Sequence, residues 1–559
     1  MTDTPEEENT FRPGAGVSGV RVSPDAALAP AQGPGDEVAA VLLHHDGRAA
    51  EMLAQPGAAL TRRYAGRRRE RAWLAETLDT HGRAVITEVP SADGQGGLGK
   101  TALAWAHAAD PAADSASVSA STSGSARYPG GVLRLSLANT DADAVAGELA
   151  AWGVRLGLDL GPDMGLAGDG SLRARLEELD AALAAGPRRL LILDDCPDAR
   201  TFQTWAPVTP HLAVIATARR APWAGALGLP ELPLQTFDIA DGLDLLYRHR
   251  PDLTPADPGL GRVVEALGRV PEALALAGHT LAYRRAANTG DPSPDAYLQG
   301  VQAVNPAAQR LDLGRGPRPP AGREGAVARA VVQAVSQLHP SHGPDILARA
   351  VLHLLCAFRP DAEVPAWLLR RCAALCEGPP DDGQVAAALD RLVALGLVRR
   401  PGPGGPLTVS RLVAAWTVAS DPPRQDAAHR LCTAACARAA QAAAREGRVN
   451  DLLRWQHQVR HLADAAEARR SPHAGLLLGA LAGLMVQLDE PEEGGWLAER
   501  AAAVHAVGGG PHVLVPTPEP RRPAEVARRP RRSEAEEHRL DTRIRGIRDT
   551  GPPPKGRTR

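Results

Sequence analysis

Hydrophobic positions fall along this chain in two patterns. Short unbroken apolar runs come first: "RAVITEV" (83–89), "GGVLRLSL" (130–137), "RRLLILDDC" (188–196) and "HLAVIATARR" (211–220). Runs of this length, rich in Val, Ile and Leu, read as strands buried on both faces. Segments with helical character separate and follow them, such as the Ala-rich "TALAWAHAA" (101–109) and "SLRARLEELDAALAAG" (171–186), which ends at a glycine; residues 421–510 are mostly helical by pattern. Strands alternating with helices predict a parallel sheet with helices on its faces, an α/β fold. Three stretches have little period: residues 1–60, rich in Gly, Pro and Ala; "SASVSASTSGSA" (115–126); and the Pro/Arg-rich end after Gly508. Their composition predicts disordered termini and a flexible insertion.

The first strand runs into "GQGGLGKT" (94–101), and the chain then starts a helix. Gly94, Gly96, Gly97 and Gly99 allow a tight turn with positive φ. Their amide N–H groups, with that of Leu98, can then point inward as a nest for an anion. Lys100 would reach the β- and γ-phosphates of a nucleotide, and Thr101 would offer its hydroxyl to Mg²⁺. Of the 63 Lys and Arg residues only two are lysines, Lys100 and Lys555. A chain that uses arginine almost everywhere keeps a lysine where a compact charge on a flexible stem is needed. Strand, Gly-rich loop and helix together aim a helix N-terminus at phosphate.

Two more strand ends add chemistry. Asp194 and Asp195 follow the apolar run Leu190 to Leu193, and Arg219 follows the run at 211–218. Ligands of parallel sheets sit at such carboxyl ends. Asp194 is placed to hold Mg²⁺, Asp195 to orient or activate a water, and Arg219 to sense a γ-phosphate.

Composition narrows the class. Hydrophobic residues make up 44% but aromatic ones 3%, so the cores must be built from Ala, Leu and Val. A net charge of −2 gives no global field that would steer the chain to nucleic acid. The N-terminal "MTDTPEEENT" lacks an apolar core, and the longest apolar run, "GLLLGALAGLMVQL" (475–488), is too short for a bilayer. A soluble cytoplasmic protein is the expectation, with no membrane partner. Six cysteines are too few for a disulfide scaffold at this length. Cys372/Cys376 and Cys432/Cys436 sit four apart, and with His429 their spacing allows zinc. Small residues packing on Ala-rich helices explain the spacing as well, and packing is the reading adopted.

In order, "YAGRRRERAWL" (64–74), "GQGGLGKT", "LLILDD", "IATARR" and "GRVPEALALAG" (268–278) resemble the successive motifs of the NB-ARC class of signal-transduction NTPases, known as STAND. The resemblance covers about residues 62–420. It implies an α/β P-loop NTPase domain over 61–225, a helical lid over 226–310 and a winged-helix domain over 325–420. A helical, tetratricopeptide-like region over 421–508 would follow, between a mostly disordered segment at 1–60 and a disordered tail at 509–559. It further implies that Gly66 and Arg67 line the adenine side, that Arg219 contacts the terminal phosphate and that Pro271 packs on the nucleotide. Glu272 stands where the family motif has leucine. Ser410 stands where the family has a histidine that locks the ADP β-phosphate. "LGALAGLMVQLDEPEEGGWLAERAAAV" (478–504) resembles one tetratricopeptide unit, and one such unit cannot bury its own face.

The leading expectation is a switch that binds ATP or ADP with Mg²⁺, rests with ADP, and opens or assembles into homo-oligomers with ATP. Any ATPase activity would be slow and would reset the switch. The C-terminal helices would meet a protein partner. A winged-helix DNA-binding regulator is the second class: Arg391, Arg399, Arg400 and Arg411 offer charge, but "VAAALDRLVALG" is mostly apolar and suits packing. The tail 519–559, with thirteen basic and seven acidic side chains, could touch nucleic acid weakly. A nucleotide-independent scaffold with a vestigial site is the third class, and the retention of Lys100, Thr101 and Asp194 argues against it.

Overall fold

The computed structural model describes residues 64–89, 96–109, 127–137, 179, 181–184, 187–206, 211–254, 257–305, 311–312, 317–318, 320, 322–376, 378–400, 405–445, 449–471, 473–487 and 491–508. The segment expected at 1–60, the insertion at 115–126, the tail at 509–559 and Gly94 lie outside the described residues. Of the helix expected over 171–186, residues 179 and 181–184 are described and are helical.

The first described helix, α1 (Arg68–His81), ends on Gly82, whose positive φ of 68° lets its N–H close on the Leu78 carbonyl at 3.1 Å. Strand β1 (Arg83–Glu88) follows at once. The other strands are β2 (Val132–Ser136), β3 (Arg189–Asp194), β4 (Leu212–Thr217) and β5 (Glu231–Leu234). They form one parallel sheet in the order β2-β3-β4-β1-β5. The chain leaves β1 for the far edge at β2 and works back to β4, which places β1 beside both β4 and β5. The direction in which successive strands are added switches at β1, and ligand crevices open at the carboxyl ends of strands at such a switch point.

The burial pattern explains the strands. All six residues of β3 and of β4 are buried, as the unbroken apolar runs require. Ala84, Ile86, Leu190, Ile192 and Ile215 face one side, where Leu74 and Leu78 of α1 and Leu103 and Ala104 of α2 (Lys100–Ala109) cover them. Val85, Leu191, Leu193, Val214 and Ala216 face the other side, against Phe202 and Trp205 of α3 (Ala199–Trp205). Between β4 and β5 lies the short α4 (Pro222–Ala226).

Beyond β5 the described chain is mainly helical. The helices are α5 (Ile239–His249), α6 (Pro258–Ala266), α7 (Pro271–Ala287), α8 (Pro294–Ala303), α9 (Gly322–Val335), α10 (Gly343–Cys356), α11 (Ala366–Ala373), α12 (Asp382–Ala394) and α13 (Arg411–Ser420). Val364 and Leu407, and Arg399 and Thr408, form antiparallel bridges beside α11 to α13. Four further helices close the described chain: α14 (Pro422–Arg445), α15 (Val449–Ala468), α16 (Ala474–Gln487) and α17 (Pro491–Gly508). Helices α16 and α17 pack as a pair, and their buried Leu481, Leu497 and Ala501 lie within the stretch that resembles a tetratricopeptide unit. One core cluster joins residues from α5 through α17. Helix α9 packs on α7 and on α13, so the elements after β5 hold together as a body placed against the sheet's carboxyl edge. No described helix is long and apolar enough to cross a membrane.

Ile192 of β3 is fully buried under α1 and α2. Ile192→Ala should lower unfolding free energy by about 2–5 kcal/mol, the transfer term plus an unfilled cavity. Chemical denaturation of both proteins by urea, followed by circular dichroism, measures the difference.

Candidate functional site

The carboxyl edge of the sheet gathers the candidate residues. The three described glycines of the loop take positive φ: 95° at Gly96, 72° at Gly97 and 80° at Gly99. Only glycine adopts such a run without a Cβ penalty, and the turn delivers Lys100 to the first position of α2. Leu98 is buried and anchors the loop.

Glu88, the last residue of β1, was not singled out in the sequence, and it dominates this edge. Its carboxylate is nearly buried and pairs with the Lys100 ammonium through Oε1. The Gly96 N–H donates to Oε2 at 3.2 Å, and Arg323 Nη2 of α9 lies 3.5 Å from the same oxygen. Burial opposes ionisation, but Lys100, the Gly96 amide and Arg323 outweigh it and hold the carboxyl below its ordinary range. The loop's lysine and a loop amide thus grip an internal anion.

Beside it, β3 and β4 position the acids. Asp194 is buried, and its Oδ1 accepts hydrogen bonds from the hydroxyls of Thr101 and Thr217, each at 2.6 Å. Arg134 of β2 donates to Oδ2 from Nη2 at 2.7 Å and from Nε at 3.2 Å. Burial again works against the charged form, and Arg134 and the two hydroxyls prevail, so the Asp194 carboxyl is held low. Thr217 also accepts the Asp195 N–H at 2.9 Å, so one hydroxyl sets the position of both acids. Asp195 takes a left-handed φ of 57°, which aspartate tolerates better than most residues. Burial and neighbouring Asp194 push its carboxyl up, against Arg219, Lys100 and Arg411. Arg219 Nη2 lies 3.8 Å from Asp195 Oδ2 in a half-exposed pair.

The segment ahead of α1 reaches the loop as well. Gly66 has φ +70°, and a Cβ there would lie 2.5 Å from Asp241 Cγ, so α5 approaches the backbone closely. Arg67 is buried with its guanidinium 5.0 Å above the Phe237 ring, and it donates to the carbonyls of Leu98 at 3.2 Å and Gln235 at 2.5 Å. Pro271 opens α7 and is buried close to Gly99. The next residue, Glu272, donates its N–H to the Gly97 carbonyl at 3.2 Å. Ser410 caps α13 by accepting the Val413 N–H at 3.3 Å, and its hydroxyl also hydrogen-bonds to the Glu272 carboxylate. Burial raises that carboxyl despite the hydrogen bond.

The structure therefore brings together Gly96 through Thr101, Asp194, Asp195, Arg219, Pro271 and Ser410 at one edge, with Gly66 and Arg67 under the loop. Sequence reasoning missed Glu88, Arg134 and Arg323. An acid ending an apolar strand and an arginine interrupting "VLRLSL" were visible signals for the first two. Nothing in the sequence marks Arg323, which folding carries to Glu88 from α9.

The donor set fits a magnesium nucleotide. The loop already holds one carboxylate, and Thr101 and Asp194, the hydroxyl and acid that would share a magnesium ion, are in direct contact. Among the described residues no group of three or more His, Cys, Asp or Glu side chains is arranged to hold a metal. That covers Cys372, Cys376, Cys432 and Cys436, which meet between α11 and α14; burial pushes up the thiols of Cys432, Cys436 and Cys376, the last to about 11.

No family model matches the sequence, and no curated protein matches it. Among solved structures, a STAND protein with a tetratricopeptide-repeat sensor from Pyrococcus horikoshii aligns with 79% of this chain at TM-score 0.39 and 13% identity. This chain spans 64% of that protein's length. A Walker-type ATPase of Pyrococcus abyssi aligns over 63% of this chain and 95% of its own at TM-score 0.27 and 14% identity. The ORC2 protein of Aeropyrum pernix aligns over 65% of this chain and 94% of its own at TM-score 0.26 and 14% identity. The functional reading rests on the chain's own residues.

Glu88 has its carboxyl lowered by folding, so it stabilises the fold at pH values above the ordinary glutamate value of 4.5, and that contribution is lost as the pH falls through the folded value. Glu88→Gln removes the counter-ion of two buried cations and should cost on the order of 3 kcal/mol at neutral pH. The gap in melting temperature between the two proteins should be full at pH 7 and shrink below pH 4.5. A gap independent of pH would show that folding does not lower the Glu88 carboxyl.

Proposed function

We propose that this chain is a P-loop nucleotide-binding switch of the STAND type, holding ATP or ADP with Mg²⁺ at the carboxyl edge of its sheet. The observation that carries the reading is the grip of Lys100 and the Gly96 amide on the Glu88 carboxylate, beside the Thr101–Asp194 contact. These are the donors and the acid that a magnesium nucleotide requires, already assembled. A bound nucleotide supplies a chain of phosphate charge. Lys100 and the amides of Gly96 to Gly99 would bind that charge. Thr101 and Asp194 hold the magnesium ion. Asp195, whose carboxyl is pushed up, is placed to take a proton from water, and Arg219 to meet a terminal phosphate. Gly66, Arg67 and Pro271 bound the nucleotide's other side.

The switch part of the reading is supported by what touches the loop. Glu272 of α7 bonds Gly97, Arg323 of α9 approaches Glu88, and Arg134 of β2 donates to the Asp361 carbonyl at 3.3 Å, between α10 and α11. A change of charge at the loop therefore acts on elements of the lid and of the region that follows it, the requirement for a bistable arrangement. We read 226–310 as lid and 325–420 as winged helix. The helices α14 to α17 are proposed as the surface for a protein partner, with homo-oligomers forming in the ATP state.

Direct DNA binding is disfavoured by the charges of the would-be recognition surface. Arg391 pairs with Asp345 at 3.0 Å, Arg399 with Asp361 at 3.1 Å and Arg400 with Asp390 at 2.5 Å. The apolar face of α12, with Val385, Leu389 and Leu392, is buried.

Lys100→Ala should abolish tight binding of both ATP and ADP while leaving the circular dichroism spectrum unchanged. Asp194→Asn should weaken the Mg²⁺-dependent part of binding, and Asp195→Asn should spare binding. Titration of a fluorescent nucleotide, with and without Mg²⁺, measures all three. A Lys100→Ala protein that binds either nucleotide within a few-fold of wild type would overturn the site.

A further inference from the structure

Two cations at the loop come from outside the sheet, and the function proposed above leaves them without a ligand. Arg323 stands at the start of α9 and Arg411 at the start of α13. Arg323 is 8% exposed, and its guanidinium shares Glu88 Oε2 with the Gly96 amide. Lys100 holds the other oxygen. One carboxylate is thus met by a lysine and an N–H of one loop and by an arginine from a helix more than two hundred residues further on. Cations and amides converging on one anion are the donor set of a phosphate site, and arginine's fork is suited to it.

Arg411 approaches the same loop from the other body. Its Nη2 lies 3.5 Å from the point a Cβ on Gly96 would occupy, which is ordinary contact distance. Its Nε is buried without a hydrogen-bond partner. The neighbouring Ser410 is committed to capping α13 and to Glu272, so Arg411 is the side chain of this turn that is directed to the loop.

Lys100 is matched by Glu88, Asp194 by Arg134, and Asp195 faces Arg219. Arg323 and Arg411 stand beside these pairs, Arg323 at Glu88 and Arg411 facing Asp195 and Glu272.

Resting on the nucleotide-binding reading, we propose that Arg323 and Arg411 are phosphate-binding residues, and that the Glu88 carboxylate holds the place of a phosphate group between Lys100 and Arg323. Phosphate then exchanges for Glu88 at Lys100, and the two arginines tie α9 and α13 to the loop through the phosphate chain. The last part of the chain reads the nucleotide through arginines carried on its own helices.

The test is equilibrium titration of the full chain with fluorescent ATP and ADP. Arg323→Gln and Arg411→Gln should each weaken both affinities by about tenfold or more, and the corresponding lysine variants should retain part of the binding. Glu88→Gln should strengthen both by about tenfold, since it removes the competing negative charge without removing a donor. A purely structural Glu88 would give the opposite sign, because its loss would disorder Lys100. If a glutamine variant does not fold, as judged by its melting curve without nucleotide, its lysine variant decides the point: full wild-type affinity counts against a forked phosphate contact. Glutamine variants that fold and bind within twofold of wild type, while Lys100→Ala does not bind, overturn this proposal and leave the nucleotide switch standing. A wild-type protein that binds neither nucleotide overturns both.

Discussion

A carboxylate buried at the end of a parallel strand must be met by positive charge, and the way Glu88 is met organises this structure. Its two oxygens bind a loop amide, the ammonium of Lys100 and the guanidinium of Arg323. An uncompensated charge at this depth would cost several kcal/mol, so the loop, α2 and α9 are held together by a demand that no one of them satisfies alone. The loop can accept an anion because its glycines free the backbone N–H groups. It is pre-arranged because one anion is already there. Order at the site is thereby set by the protein's own charge before any ligand contributes.

The second organising group is the hydroxyl of Thr217. It donates to Asp194 and accepts from the Asp195 N–H, so two adjacent acids are fixed from one neighbouring strand. The environments then diverge. Asp194 has Arg134 and two hydroxyls and stays charged, whereas Asp195 has burial and a like charge at its side. Two carboxyls next to each other in sequence acquire opposite tendencies, one suited to holding a cation and the other to exchanging a proton.

Much of the sheet was legible because its strands are unbroken apolar runs with chemistry at their ends. Lys100 stood out as a lysine in a chain of arginines, and Asp194 as an acid closing a hydrophobic strand. The partners of these residues were harder to see. Arg134 pairs with Asp194 across adjacent strands, and Arg323 reaches Glu88 from α9. Contacts made by folding leave no period or spacing in a single sequence. Ser410 illustrates the difference. The resemblance implies a place opposite a phosphate, whereas in the fold it caps α13 and bonds Glu272, two local interactions that leave no spacing in the sequence. Gly94 and the termini fall outside the described residues, and their compositional reading stands as an expectation.

The near absence of lysine has a consequence for covalent chemistry. Amine-directed acylation of lysine side chains can act on this chain only at Lys100 and Lys555. At Lys100 the side chain is 10% exposed and its nitrogen is paired with the Glu88 carboxylate, so an acyl donor reaches it only when that pair opens. Acylation there would remove the charge that both Glu88 and an incoming anion require, and it would do so only in molecules whose ion pair had opened. The rate of amine modification at this one position is therefore a direct measure of how often the Lys100–Glu88 pair is open.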